Sequence, residues 1–150
     1  MSRRNGRIIA FQALYSWDVT KVPLEDLLSF SWLEKDSELH SEEEKELTDT
    51  AKDERTFATL IISGTIEHIE QIDEVIKEHL SANWSMERIN KVALAILRVS
   101  IYELLYQPDA QIGIIIDEAV KISKNYGTDD SYKFINAVLD NVGKKEKGAK

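Results

Sequence analysis

The sequence predicts an all-α fold, and three observations carry that expectation. Apolar residues recur at three- and four-residue steps through nearly every segment. The one run that could be read as a strand has no partner strand elsewhere. Only two prolines and six glycines are spread over 150 residues, which rules out collagen-like or low-complexity material. The pattern predicts six or seven helices, with short connections apart from one acidic stretch.

The elements follow in order. Over residues 2–19, Ile8, Phe11, Leu14 and Tyr15 repeat with helical spacing, with Ser2 as a candidate N-cap. Pro23 opens a second helix whose stripe is Leu24, Leu27, Leu28 and Trp32. Phe57, Leu60, Ile61, Gly64, His68, Ile69, Ile72, Ile76 and Leu80 then hold one face, as one long helix or two bent near Gly64 or Glu67. Ser85 is placed to cap the next helix, which is apolar nearly all round from Met86 to Leu104 and so central; it ends before Pro108. Ile112-Gly113-Ile114-Ile115-Ile116 is the strand-like run, yet Ile116, Ala119, Val120, Ser123 and Tyr126 continue a helical face to a Gly127 C-cap. A last helix starts near residues 129–131, carries Ile135, Val138, Leu139 and Val142 inward, and stops at Gly143.

The length suits one domain over 1–150. Net charge is −8, which argues against coating nucleic acid through bulk charge. The charge is segregated, however. Residues 1–10 hold three arginines and no acid; residues 34–54 hold ten acids and three lysines; the tail 144–150 holds four lysines and one acid. The stretch 34–54 reads as an acidic insert, loop or frayed helix, and 144–150 as a basic flexible tail. No run approaches the roughly 18 apolar residues of a membrane span. Ile8-Ile9-Ala10-Phe11 behind three arginines faintly suggests a secretory leader, but Gln12, Ser16 and Asp18 interrupt it, so a cytoplasmic chain is expected.

Little supports catalysis. The absence of cysteine excludes thiolate zinc, iron–sulfur and cysteine-nucleophile chemistry. His68 and His79 lie eleven residues apart, roughly 16 Å along a continuous helix and too far for one metal. No HExxH, glycine-rich phosphate loop or GxSxG occurs. The chain is therefore expected to be no enzyme, with no cofactor, no metal and no small-molecule substrate.

Binding chemistry is better represented. Arg3, Arg4 and Arg7 crowd the start of the first helix, where the peptide dipoles are already positive. Cationic side chains beside unpaired N–H groups make an anion site; the plainer reading is an ordinary basic terminus. Tyr132-Lys133-Phe134 repeats the arrangement at the last helix. An exposed Phe beside Lys can stack an unpaired base and neutralise its phosphate; the plainer reading makes Phe134 core. Arg98, inside the most apolar helix, is expected to pair internally with an acid such as Glu103 or Glu118.

Several blocks in order carry a resemblance: Arg3-Arg4-x-x-Arg7 with Phe11-Gln12-Ala13-Leu14-Tyr15-Ser16-Trp17, Ile96-Leu97-Arg98 with Ile101-Tyr102-Glu103-Leu104, Ile116-Asp117-Glu118-Ala119-Val120, and Asp130-Ser131-x-Lys133-Phe134-Ile135-Asn136-x-Val138-Leu139-Asp140. Together they span nearly the whole chain apart from the insert and tail, and the chain resembles the NusB family of bacterial transcription antitermination factors. The resemblance implies two small three-helix bundles packed together and a non-enzymatic role. It implies a partner, NusE, which is also a ribosomal small-subunit protein. It implies binding of single-stranded boxA RNA from ribosomal-RNA operons, within an antitermination complex that keeps RNA polymerase elongating. Arg3, Arg4 and Arg7 match the family's arginine-rich RNA-binding start. Asp130, Lys133 and Phe134 match RNA-facing positions, Arg88 joins them through a Trp-x-x-x-Arg pattern with Trp84, and Tyr15 matches a NusE-side position. The chain departs from the pattern at Ala93, where many relatives are acidic, at Asn136-Ala137 in place of Asn-Gly, and in its long acidic insert. The alternatives are a helical protein–protein adaptor that never touches RNA, and an accessory domain like those of ribosomal-RNA methyltransferases, for which the chain has no glycine-rich donor loop.

Overall fold

A computed structural model describes residues 3–32, 49–80, 85–107, 111–128 and 130–146. Among the described residues there are seven α-helices and no strand: α1 (Arg3–Val19), α2 (Leu24–Ser29), α3 (Asp49–Glu67), α4 (Ile69–Glu78), α5 (Lys91–Tyr106), α6 (Ile112–Tyr126) and α7 (Ser131–Glu146), with a single 3₁₀ turn at Met86–Arg88. The all-α expectation holds. The isoleucine-rich run at 112–116 is the start of α6, because Ile115, Ala119 and Ile122 return to the core with helical period.

The architecture follows from α5. Every residue from Ala93 to Leu104 is buried, so the helix must be covered on all sides. Helices α1, α2 and α3 touch one another, as do α5, α6 and α7; α5 also packs on α1, α3 and α4 and so joins the two groups. The core is continuous across them, from Leu14, Ile61 and Ile62 through Leu97 and Ile101 to Ile135 and Leu139.

The long periodic segment is two helices that break after Glu67, one of the two places the sequence offered, with His68 at φ −106° and ψ 21° between α3 and α4. Other boundaries differ from the sequence reading. Gly64 stays helical, and its role is close approach: a Cβ there would lie 2.1 Å from Tyr102 Cζ. The cap of α5 is Asn90, not Ser85. Its Oδ1 accepts from the Val92 and Ala93 amides at 2.9 and 3.2 Å, and Met86 falls in the 3₁₀ turn. Helix α2 is shorter than its stripe suggests and closes on Phe30 in the left-handed region, φ 57°. Trp32 folds back beyond it to donate Nε1–H to the Leu27 carbonyl at 3.1 Å.

Gly127 ends α6 as expected, but its backbone is extended (φ −93°, ψ −177°). It is small because a Cβ would lie 2.4 Å from Ser131 Oγ. Helix α7 runs past Gly143, which packs against Ile112 and does not terminate it. Lys144 and Lys145 therefore belong to this helix; Lys144 pairs with Asp140 at 3.0 Å and Lys145 with Glu78 at 2.6 Å. Of the acidic stretch, residues 49–54 form the first turns of α3, and the rest lies outside the described residues, as do Ser2, Trp84 and 147–150. Among the described residues no helix is long and apolar enough to cross a membrane.

Candidate nucleic-acid interface

The three N-terminal arginines share one turn of α1 but have different surroundings. Arg3 is exposed, with its guanidinium 4.7 Å from the centre of the Phe57 ring. Arg4 reaches α6, where Nε and Nη2 donate to the two Glu118 oxygens at 2.7 and 3.2 Å. Arg7 turns inward: Nε and Nη2 donate to Glu103 of α5 at 2.7 and 2.9 Å, and both residues are buried. The first turn of α1 holds no acid. The carboxylates that balance it come from helices about a hundred residues away, where no sequence spacing could announce them. Arg3, Arg4, Arg7, Ile114 and Glu118 line an open hollow of about 380 Å³.

The hydrogen bonds from Arg4, and after them its charge, hold the Glu118 carboxyl below the usual carboxylate range against the opposing effect of burial. Lowering a folded-state carboxyl pKa adds stability above the unfolded value, lost as pH falls through the folded one. The melting temperatures of wild type and Glu118→Gln should therefore differ near neutrality and converge only as the pH falls below the usual carboxylate range, as thermal scans across pH would read.

A second site forms where α7 begins. Phe134 is half-buried, packed against the core edge, and lines a groove of about 620 Å³ with Arg88, Asp130, Ser131, Thr128, Asn90, Ala93, Ile89, His79 and Leu80. The structure thus brings together three residues singled out from sequence: Arg88, Asp130 and Phe134. Lys133 is exposed at the rim, its Nζ 3.7 Å from Asp130. Phe134 is neither free nor fully core. It sits on the wall of the groove that Arg88 also lines. His79 and Leu80 were missed, since their place here depends on how α4 ends.

Tyr15 lies elsewhere, half-buried in a hollow of about 300 Å³ with Phe11, Gln12, Ser16, Trp32, Val92 and Tyr126. Tyr126 is exposed and meets Phe11 edge-on at 5.3 Å. The arginine hollow and the Phe134 groove are at opposite ends of α5. Glu103 serves one and Ala93 the other, ten residues or roughly 15 Å apart along the helix.

Arg98 is paired, but with other acids than expected. Its Nε and Nη2 donate to Asp73 of α4, both at 2.9 Å, and Asp18 of α1 lies 3.7 Å from Nη1. Glu103 and Glu118 are already occupied by Arg7 and Arg4.

A helical body carrying separate basic, basic–aromatic and aromatic surfaces has the features of a binding protein. The model of the NusB family matches residues 4–144. The transcription antitermination protein NusB of Treponema denticola is 48% identical over 147 residues, covering 97% of this chain and 98% of that one. Among solved structures, NusB of T. maritima superposes with TM-score 0.77 at 32% identity, covering 97% of this chain and 93% of that one. A crystal structure of antitermination factors NusB and NusE in complex with dsRNA matches with TM-score 0.76 at 26% identity, covering 95% and 96%. The chain belongs to the NusB family.

Proposed function

We propose that this chain is a non-catalytic antitermination factor that binds boxA RNA of ribosomal-RNA operons as a single strand together with NusE, within the complex that keeps RNA polymerase processive. The observation that carries the reading is the groove at the start of α7, which the half-buried Phe134 lines together with Arg88 and Asp130. Phe134 offers a stacking face for an unpaired base, Arg88 and Lys133 meet phosphates, and Asp130 accepts from a base edge. Arg3 and Arg4 contact the strand further along, and Arg7 acts from behind by fixing α1 on Glu103. The Tyr15 hollow is the surface assigned to NusE. The dsRNA complex of a relative supports an RNA and NusE partnership. The half-open aromatic wall favours an unpaired strand here, since a base inside a duplex has both faces stacked.

A −8 protein with two small basic sites should hold RNA weakly alone, each neutralised phosphate contributing about −0.7 to the log–log salt slope. Anisotropy titrations of a boxA-type single strand at two salt concentrations, with and without NusE, test the proposal. Tighter binding by the pair is expected, and Phe134→Ala should remove about 1–3 kcal/mol of it. No gain by the pair over NusE alone, unchanged by Phe134→Ala, would favour the protein–protein adaptor.

A further inference from the structure

We infer that Glu118 is a positioning residue for RNA: it splints Arg4 so that the outer edge of the guanidinium is presented to a phosphate. The inference rests on the RNA-binding reading above. Three features of the pair support it. First, Glu118 takes the side edge of the fork, Nε and Nη2, and among the described residues Nη1 has no hydrogen-bond partner. A phosphate can therefore bind end-on while the carboxylate stays in place. Second, exposure is unequal. The Arg4 side chain is 48% exposed and that of Glu118 17%, so the acid is the fixed member and the arginine the presented one. Third, the neighbouring arginine shows the contrast. Arg7 uses the same two nitrogens on Glu103, but its side chain is only 11% exposed against 48% for Arg4, so it presents far less of its fork to the hollow.

A long arginine on a helix start otherwise samples many rotamers, and ordering it on binding costs affinity. A carboxylate from a neighbouring helix removes that cost beforehand. Glu118 can do this without being stranded when the phosphate draws on Arg4, because Arg7 and Lys121 also lower its pKa.

The test separates splinting from simple charge. Glu118→Gln removes a negative charge beside an anionic strand, so Coulomb attraction alone predicts tighter binding. The splint predicts the reverse: roughly three- to tenfold weaker binding of a boxA-type single strand by the chain with NusE, the scale of one charge-assisted contact. The salt slope should also fall by about 0.7, the signature of one lost phosphate contact that a merely structural defect would not produce. Arg4→Lys, which keeps the charge and loses the fork, should weaken binding to a similar degree, and Arg4→Gln with Glu118→Gln should be no worse than Arg4→Gln alone. If wild type with NusE does not bind the strand, the RNA reading itself fails and this inference with it. If wild type binds and Glu118→Gln binds equally or more tightly, only the splint is overturned.

Discussion

Replacing Arg7 with alanine should cost about 3–5 kcal/mol of folding stability, because it leaves the buried Glu103 carboxylate without its partner. That is a large share of the roughly 5–15 kcal/mol that holds a domain together. Arg3→Ala, four residues away on the same helix, should change stability by no more than about 0.5 kcal/mol, since Arg3 is exposed and only lies over Phe57. Urea unfolding of the two variants reads the difference directly. Arg7→Met combined with Glu103→Leu should recover most of the loss, because removing both charges ends the desolvation penalty. In RNA titration the order should reverse, with Arg3 weakening binding in a protein that is otherwise as stable as wild type. Equal stability of the Arg7→Ala and Arg3→Ala proteins would refute the buried-pair assignment.

Gly64→Ala should also destabilise, by about 1–3 kcal/mol, although the same change in an open helix gains about 1 kcal/mol. The added Cβ would fall 2.1 Å from Cζ and 2.3 Å from Oη of Tyr102. The ring cannot easily yield. It lies in a stack with Tyr106, centroids 5.5 Å apart, and Tyr106 in turn faces His68 at 4.0 Å. In a Tyr102→Leu background the glycine change should become neutral or favourable, so a double-mutant cycle by thermal or urea unfolding would show strong coupling. Additive effects would mean that the close approach of α3 to α5 is not what Gly64 provides.

The helical period carries most of the fold, because burial of one face per turn is a property of neighbours in the chain. It identifies α6 through a run of isoleucines and marks α5 as central from its nearly unbroken apolar perimeter. Helix ends were less legible. Asn90 caps α5 through the Val92 and Ala93 amides, a local contact that competes with the Ser85 signal five residues earlier, whereas Gly143 inside α7 leaves room for Ile112 of another helix, which no local pattern announces. Charge pairing was the least legible of all. Arg98 and Glu103 share one helix, but five residues place them on different faces, so Arg98 meets Asp73 and Glu103 meets Arg7. At the interface, the grouping of Asp130, Lys133 and Phe134 follows from one helix turn, whereas Arg88, His79 and Leu80 enter only through the packing of α4 and α5 beside α7.

A rod that is greasy on every side has little reason to prefer one rotation about its own axis over another. Helix α5 is close to that condition, and its two buried charged side chains resolve it. Arg98 and Glu103 project about 140° apart at 100° per residue, one keyed to α4 and the other to α1. Turning the rod by a single residue would strand both charges in the interior at several kcal/mol each, so electrostatics selects the azimuth that oiliness alone would leave undecided.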